Sequence, residues 1–181
     1  MILNYKKDCL RIATAMRKGK IAIFPTDTIY GIGTVWNSHN NTEIFMLKRR
    51  KRNKPLIMLS DIRWIDKFAD LQIRTKQYWP GPFTLIMNAK RLLPWWVSLN
   101  NAVAIRVPKN RDIIRLIRAV GAPITATSVN VSGEIPLENI KKIKRIYENR
   151  VDIIAEDINF HSKRPSKIID IRKNSTERRL R

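Results

Sequence analysis

The sequence predicts an α/β fold, one domain over residues 1–181 built around a twisted mixed sheet with flanking helices. Three observations predict it. Apolar strand-like runs alternate with helix-like runs along the chain. No long linker, low-complexity tract or internal repeat interrupts them. With 181 residues, 44% of them hydrophobic, the chain suits one well-cored domain better than two.

Residues 5–18 read as an amphipathic helix, with Leu10, Ala13 and Met16 at helical spacing and Gly19 as its stop. "KIAIF" (20–24) reads as a buried strand closed by Pro25. "TEIFMLKRR" (42–50) reads as a helix with Thr42 as its cap. "PLIML" (55–59) reads as a strand, and 61–79 as a helix ended by "WPGP". "LLPWWV" (92–97), between the strands "FTLIM" (83–87) and "AVAIRV" (102–107), reads as a packed aromatic loop in preference to a stacking platform for bases. A helix over 110–120 stops at Gly121. The strand "PITAT" (123–127), a helix over 137–149 and the strands "VDIIA" (151–155) and "SKIIDI" (166–171) complete the chain.

Thirty-six Lys and Arg against fifteen Asp and Glu give a net charge of +21. Such a field draws polyanions and depends on salt. A composition also rich in Ile and Asn accounts for spare surface lysines equally well. Charge alone therefore does not select a nucleic-acid partner. No apolar run reaches the ~20 residues of a bilayer span, and the N-terminus does not read as a signal peptide. A lone Cys9 excludes an internal disulfide and suits a cytoplasmic protein. With His39 and His161 it makes no zinc set, so any metal should be Mg2+ arriving with a substrate.

Four polar islands sit at strand ends, where α/β sheets hold ligands. "FPTDTIYGIG" (24–33) presents Thr26, Asp27, Thr28 and Tyr30, although a capped turn would look the same. "LKRRKRNKPLIML" (47–59) carries six cations among the seven residues 48–54. It fits a solvated run, a nucleic-acid surface or a pocket for a small polyanion. Arg106 lies in an apolar strand, so it must snorkel, pair or face a cavity. "TATSVNVSG" (125–133) sets Ser128 and Asn130 on one face if it is extended. Neither a GxxxxGK[ST] loop nor a GxGxxG turn is present.

In this order the blocks "PTDTIYGIG", "LKRRKRNKPLIML", "YWPGPFTLIM", "VAIRVP", "ITATSVNVSG" and "RPSKIIDI" resemble the YrdC/Sua5 family of threonylcarbamoyl-AMP synthases, in its short bacterial TsaC/YrdC (RimN) form. The resemblance runs from Ala13 to Asp170. It implies a basic concave cleft and an adenylyl transfer. ATP, L-threonine and bicarbonate (or CO2) would give threonylcarbamoyl-adenylate and pyrophosphate. A transferase complex of the TsaD/TsaB/TsaE type would then carry the group to adenosine 37 of tRNA. By matched position, Lys48, Arg50, Ser128 and Asn130 are the catalytic set. Arg50, Lys54, Ser128 and Asn130 would meet ATP, with Lys48 near the carbamate and the α-phosphate. Thr28, Arg106 and Ser166 would hold threonine, with Arg106 on its carboxylate.

The chain departs from the family at Lys51, where a proline is expected, so Arg49, Lys51 and Arg52 carry no family role and fit either surface drift or an RNA contact. "NFHSKR" replaces glycines before "SKIID". An ATP contact passes to Arg178, Arg179 or Arg181. The alternatives are a tRNA- or double-stranded-RNA-binding module on the same fold and a paralogue acting on another carbamoyl substrate.

Overall fold

The structure, a computed structural model, describes residues 1–161, 164–172 and 178–179. Arg181 and the side chains of Arg178 and Arg179 lie outside the described residues, as do Ser162 and Lys163. The elements in chain order are β1 (Ile2–Asn4), α1 (Cys9–Arg17), β2 (Ala22–Pro25), β3 (Tyr30–Gly33), α2 (Asn41–Leu47), β4 (Ile57–Leu59), β5 (Phe83–Asn88), β6 (Ser98–Leu99), β7 (Ala102–Arg106), α3 (Arg111–Val120), β8 (Ile124–Ser128), α4 (Ile140–Tyr147), β9 (Ile153–Glu156), β10 (Lys167–Asp170) and β11 (Arg178–Arg179). The strands form one mixed sheet in the order β1-β9-β2-β3-β8-β4-β7-β5-β10-β11, with β6 beside β7. The α/β expectation therefore holds.

Local chemistry explains most boundaries. Gly19 and Gly121 end α1 and α3 with φ of +84° and +78°, a region that suits glycine. Asn110 caps α3, its Oδ1 accepting from the amides of Asp112 and Ile113. Asn139 caps α4 in the same way.

The differences have tertiary causes. In α1 the buried residues are Cys9, Ile12, Ala13 and Met16, and Leu10 faces solvent. Thr42 does not cap α2; its hydroxyl donates to the His39 carbonyl. The run 61–79 is not one α-helix. Two 3-10 segments, Ile62–Lys67 and Ile73–Gln77, flank a stretch drawn to the sheet margin by an Ala69–Ala89 bridge and a bond from the Lys90 amide to the Phe68 carbonyl. Residues 137–139 stay outside α4, because the Leu137 amide donates to Val129 O. Tyr30–Gly33, read as part of a turn, is a strand between β2 and β8. The 92–97 loop packs as expected through Leu93, Trp96 and Val97, while Trp95 remains 37% exposed.

Two apolar clusters fill the interior. One gathers α1 and α3 with β2 and β9; the other gathers α2, α4 and the strands from β4 to β10. Asp61, buried beneath Arg63 and Arg118, accepts from both guanidiniums, which hold its carboxyl well below the usual range. One helix is strapped to one strand at both ends. Asn41, at the start of α2, accepts from Thr125 Oγ1 at 2.6 Å and donates to Val35 O and Ser38 O. Lys48, just past the end of α2, reaches the end of β8.

The β3–β8 contact is close enough to require glycine at one point. A Cβ on Gly33 would lie 1.8 Å from the Thr125 carbonyl oxygen. Gly33→Ala should therefore destabilise the fold by about 3 kcal/mol, the upper end of overpacking costs. Urea denaturation checks this; a loss like that of an ordinary surface substitution would show that the two strands can part.

Candidate active site

A cleft of about 660 Å³ opens over the middle of the sheet. Alternation along each strand builds its floor. Ile57 and Leu59 come from β4, Ala102, Ala104 and Arg106 from β7, Ala126 and Ser128 from β8, and Ile168 from β10. The hollow exists because Gly31, Ala102, Ala104 and Ala126 put little side chain into it. Polar groups reach it from the strand ends and the adjoining loops.

Thr28, Arg106 and Ser166 all line this cleft and are almost fully buried. Arg106 Nη1 donates to Thr28 Oγ1 at 3.0 Å, and Nη2 stands 3.1 Å from Asp27 Oδ1. The Arg106–Asp27 pair answers the question raised by a cation in an apolar strand: it pairs and also faces a cavity. Thr26 and Thr28 hydroxyls meet at 3.0 Å, and the Thr26 hydroxyl closes its own turn onto the Ile29 carbonyl. Ser166 Oγ lies 2.9 Å from Thr84 Oγ1, joining the β10 entry to β5.

Arg50, Lys54 and Ser128 also line the cleft. Arg50 is braced by its own loop, with Nε donating to Lys54 O at 2.6 Å and Nη2 to Pro55 O at 2.9 Å. Lys48 and Asn130 are not wall residues. Lys48 is 1% exposed, and its Nζ donates to Asn130 O at 2.7 Å, to Asn130 Oδ1 at 2.9 Å and to Ser128 O. Asn130 Oδ1 also accepts from Ser128 Oγ at 2.6 Å, and its Nδ2 donates to Glu134 O. Of the four residues matched as a catalytic set, Lys48, Ser128 and Asn130 form one hydrogen-bonded network, and Arg50 is held separately by its own loop. Arg50 and Ser128 face the cleft, while Lys48 and Asn130 stand behind them.

Asp27, Asn53 and Arg172 belong to the neighbourhood without having been assigned roles from sequence. Asn53 and Arg172 line the cleft, and Arg172 pairs with Asp170. Asp27 was visible as the central residue of "TDT", but only its distance to Arg106 reveals its part.

Burial, then the neighbouring Arg50, pull the Lys48 pKa from 10.5 down to about 7. Three oxygens around Nζ favour the ammonium in return. A lysine whose folded pKa is depressed binds its proton less tightly in the native state than unfolded. Its charge costs stability below pH 7, and the cost is relieved as pH rises from about 7 towards 10.5. Wild type should therefore gain stability relative to Lys48→Met across that window, measured by chemical denaturation. A flat difference would mean that the oxygen cage keeps the ammonium throughout.

The arrangement has relatives. A family model for the Sua5/YciO/YrdC domain, described as telomere recombination, matches residues 14–181. A protein of Wigglesworthia glossinidia brevipalpis named threonylcarbamoyl-AMP synthase is 32% identical over 178 residues, 92% of this chain and 91% of its own. The crystal structure of P. abyssi Sua5 complexed with L-threonine superposes with a TM-score of 0.87 at 25% identity. It covers all of this chain, which spans 57% of that one. E. coli YciO superposes with a TM-score of 0.86 at 21% identity, over all of this chain and 92% of its own, a likeness of fold. With the family model matched over residues 14–181 and a relative 32% identical over 92% of the chain, the chain belongs to the Sua5/YciO/YrdC family.

Proposed function

We propose that this protein is a threonylcarbamoyl-AMP synthase, joining ATP, L-threonine and bicarbonate (or CO2) into threonylcarbamoyl-adenylate with release of pyrophosphate. The observation that carries the reading is one cleft walled by two polar sets, Thr28–Arg106–Ser166 and Arg50–Lys54–Ser128. The names of the Wigglesworthia relative and of the threonine-bound P. abyssi structure support the same chemistry. The product would serve the first step of t6A formation at adenosine 37 of tRNA and pass to a transferase complex of the TsaD/TsaB/TsaE type.

The chemistry asks for what this cleft offers. The threonine amine adds through its lone pair to the carbon of CO2 and gives up one proton to solvent, leaving a carbamate; from bicarbonate the same carbamate forms with release of water. A carbamate oxygen attacks the α-phosphorus; the new P–O bond forms as the bond to the β-phosphate oxygen breaks, and pyrophosphate leaves with the electron pair. Two anions must meet, so fixed cations offset their repulsion and the charge that shifts to the leaving group. Arg50 and Lys54 take the phosphates, and Ser128 faces the nucleotide. Lys48 and Asn130 act at one remove by fixing Ser128. Arg106 takes the threonine carboxylate beside Thr28, with Ser166 on a polar atom of the same substrate. Magnesium would arrive with the phosphates of ATP, oxygen ligands of the kind it prefers, and would offset their charge.

A second reading, contact with tRNA or double-stranded RNA, is favoured by exposed Arg111 and Arg115 on α3 and by Lys141, Lys142 and Arg145 on α4. Arg118 and Lys144, which share those helices, are engaged by Asp61 and Glu156.

Pyrophosphate release from purified protein should require threonine and bicarbonate together. Equal release without threonine would sink the assignment. Arg50→Ala should lower kcat about a hundredfold, the usual loss of one preorganised charge donor. Arg106→Lys, which keeps a cation opposite Asp27, should raise the threonine KM about tenfold with less change in kcat. Steady-state kinetics with threonine and ATP varied in turn separates the two; a KM effect on ATP alone would move Arg106 to the nucleotide.

A further inference from the structure

The cleft leaves three cations without a task. Arg49, Lys51 and Arg52 lie between α2 and β4, exposed and outside the cleft wall. Among the described residues no ion pair involves them. Arg49 holds φ at +49°, a backbone region that glycine enters without steric cost and arginine does not.

Beside them a series of flat groups runs from the core to the surface. Phe45 is buried and packs on Trp95 with ring centroids 4.8 Å apart. Trp95 also meets the buried Trp96 edge-on at 5.9 Å. The Arg52 guanidinium lies over the Trp95 ring, 5.0 Å from its centroid. A planar cation is thus presented to solvent on a rigid aromatic support. This lip is continuous with the cleft: Arg50, Asn53 and Lys54 follow from one side, and Val97, Leu99 and Asn100 from the other.

We propose that this lip binds an unpaired stretch of nucleic acid. One base stacks on the Arg52 guanidinium held by Trp95, and Arg49 and Lys51 contact the flanking phosphates. Charge complementarity selects a polyanion. The supported plane selects one with accessible base faces, because a duplex keeps its base faces stacked inside. An acidic protein would use the charges and leave the plane idle. The proposal does not rest on adenylate formation, which none of these residues serves.

Fluorescence anisotropy with a short labelled oligouridine tests it, alongside an RNA duplex of equal length, inorganic polyphosphate and polyglutamate. Oligouridine should bind more tightly than polyglutamate, and any duplex binding by the basic faces of α3 and α4 should be insensitive to changes in the lip. Arg52→Lys keeps the charge and removes the plane, so it should weaken oligouridine binding about tenfold and leave polyphosphate binding unchanged. Trp95→Ala should match it, and Trp95→Phe, which keeps a flat support, should recover most of the affinity. Arg49→Ala and Lys51→Ala should each lower the slope of log K against log salt by about 0.7. Pyrophosphate release should stay at the wild-type rate in all five. The idea is overturned if wild type does not bind oligouridine, if Arg52→Lys binds it as tightly as wild type, if Arg52→Lys weakens duplex binding equally, or if polyglutamate binds more tightly than oligouridine. Arg52→Lys alters only an exposed side chain, so its result stands even if Trp95→Ala unfolds.

Discussion

The buried Lys48 amine is the constraint on which the site depends. It sits at the end of one helix and joins that helix to the end of a central strand through three oxygens of Ser128 and Asn130. Removing the amine would leave those acceptors without their donor in a dry place, at about 1–3 kcal/mol for each left unmet. Its position also fixes Arg50, two residues on, relative to Ser128, whose hydroxyl is already tied to Asn130. Asn41 secures the other end of the same helix to Thr125. A helix of seven residues has little stability of its own. Fastened at both ends to β8, it becomes a rigid arm for the cationic loop that follows.

A second constraint comes from the sheet. Antiparallel pairing of β8 with both β3 and β4 brings residues far apart in sequence to one surface. The parallel β4–β7 pair then sets Arg106 opposite Leu59, where the apolar floor ends. Polar groups cluster at this margin because they leave the strands there, while the strand interiors supply only aliphatic and small side chains. The same topology places Asp27, at the turn after β2, against Arg106 at the end of β7.

Much of this was legible in the chain, and the exceptions share a cause. Gly121 and the α3 boundary were readable because a left-handed stop is a local requirement. The strand Tyr30–Gly33 was not, since two glycines in four residues weaken any local preference and its strand character comes from neighbours on both sides. Leu10 looked like a core residue because its spacing to Ala13 fits a helix, but the packing of α1 against α3 chose the Cys9–Ile12–Met16 face. At the site, the family pattern pointed to residues that gather in or behind one cleft but could not assign their depth. Lys48 and Arg50 are two positions apart in one basic run, yet one is buried among carbonyls and the other lines the cleft. That difference is set by where β8 ends, 80 residues away in sequence.

The floor of the cleft is a mould formed by omission. Gly31, Ala102, Ala104 and Ala126 have no rotatable heavy atoms, so none can swing aside to admit a bulkier guest or close over a smaller one. The size limit of any ligand would therefore be set in large part by backbone spacing, whereas its charge would be met by the cationic side chains at the edge. Changes of ligand size and changes of ligand charge would accordingly fall on different residues, and a lineage could alter one kind of selectivity while leaving the other intact.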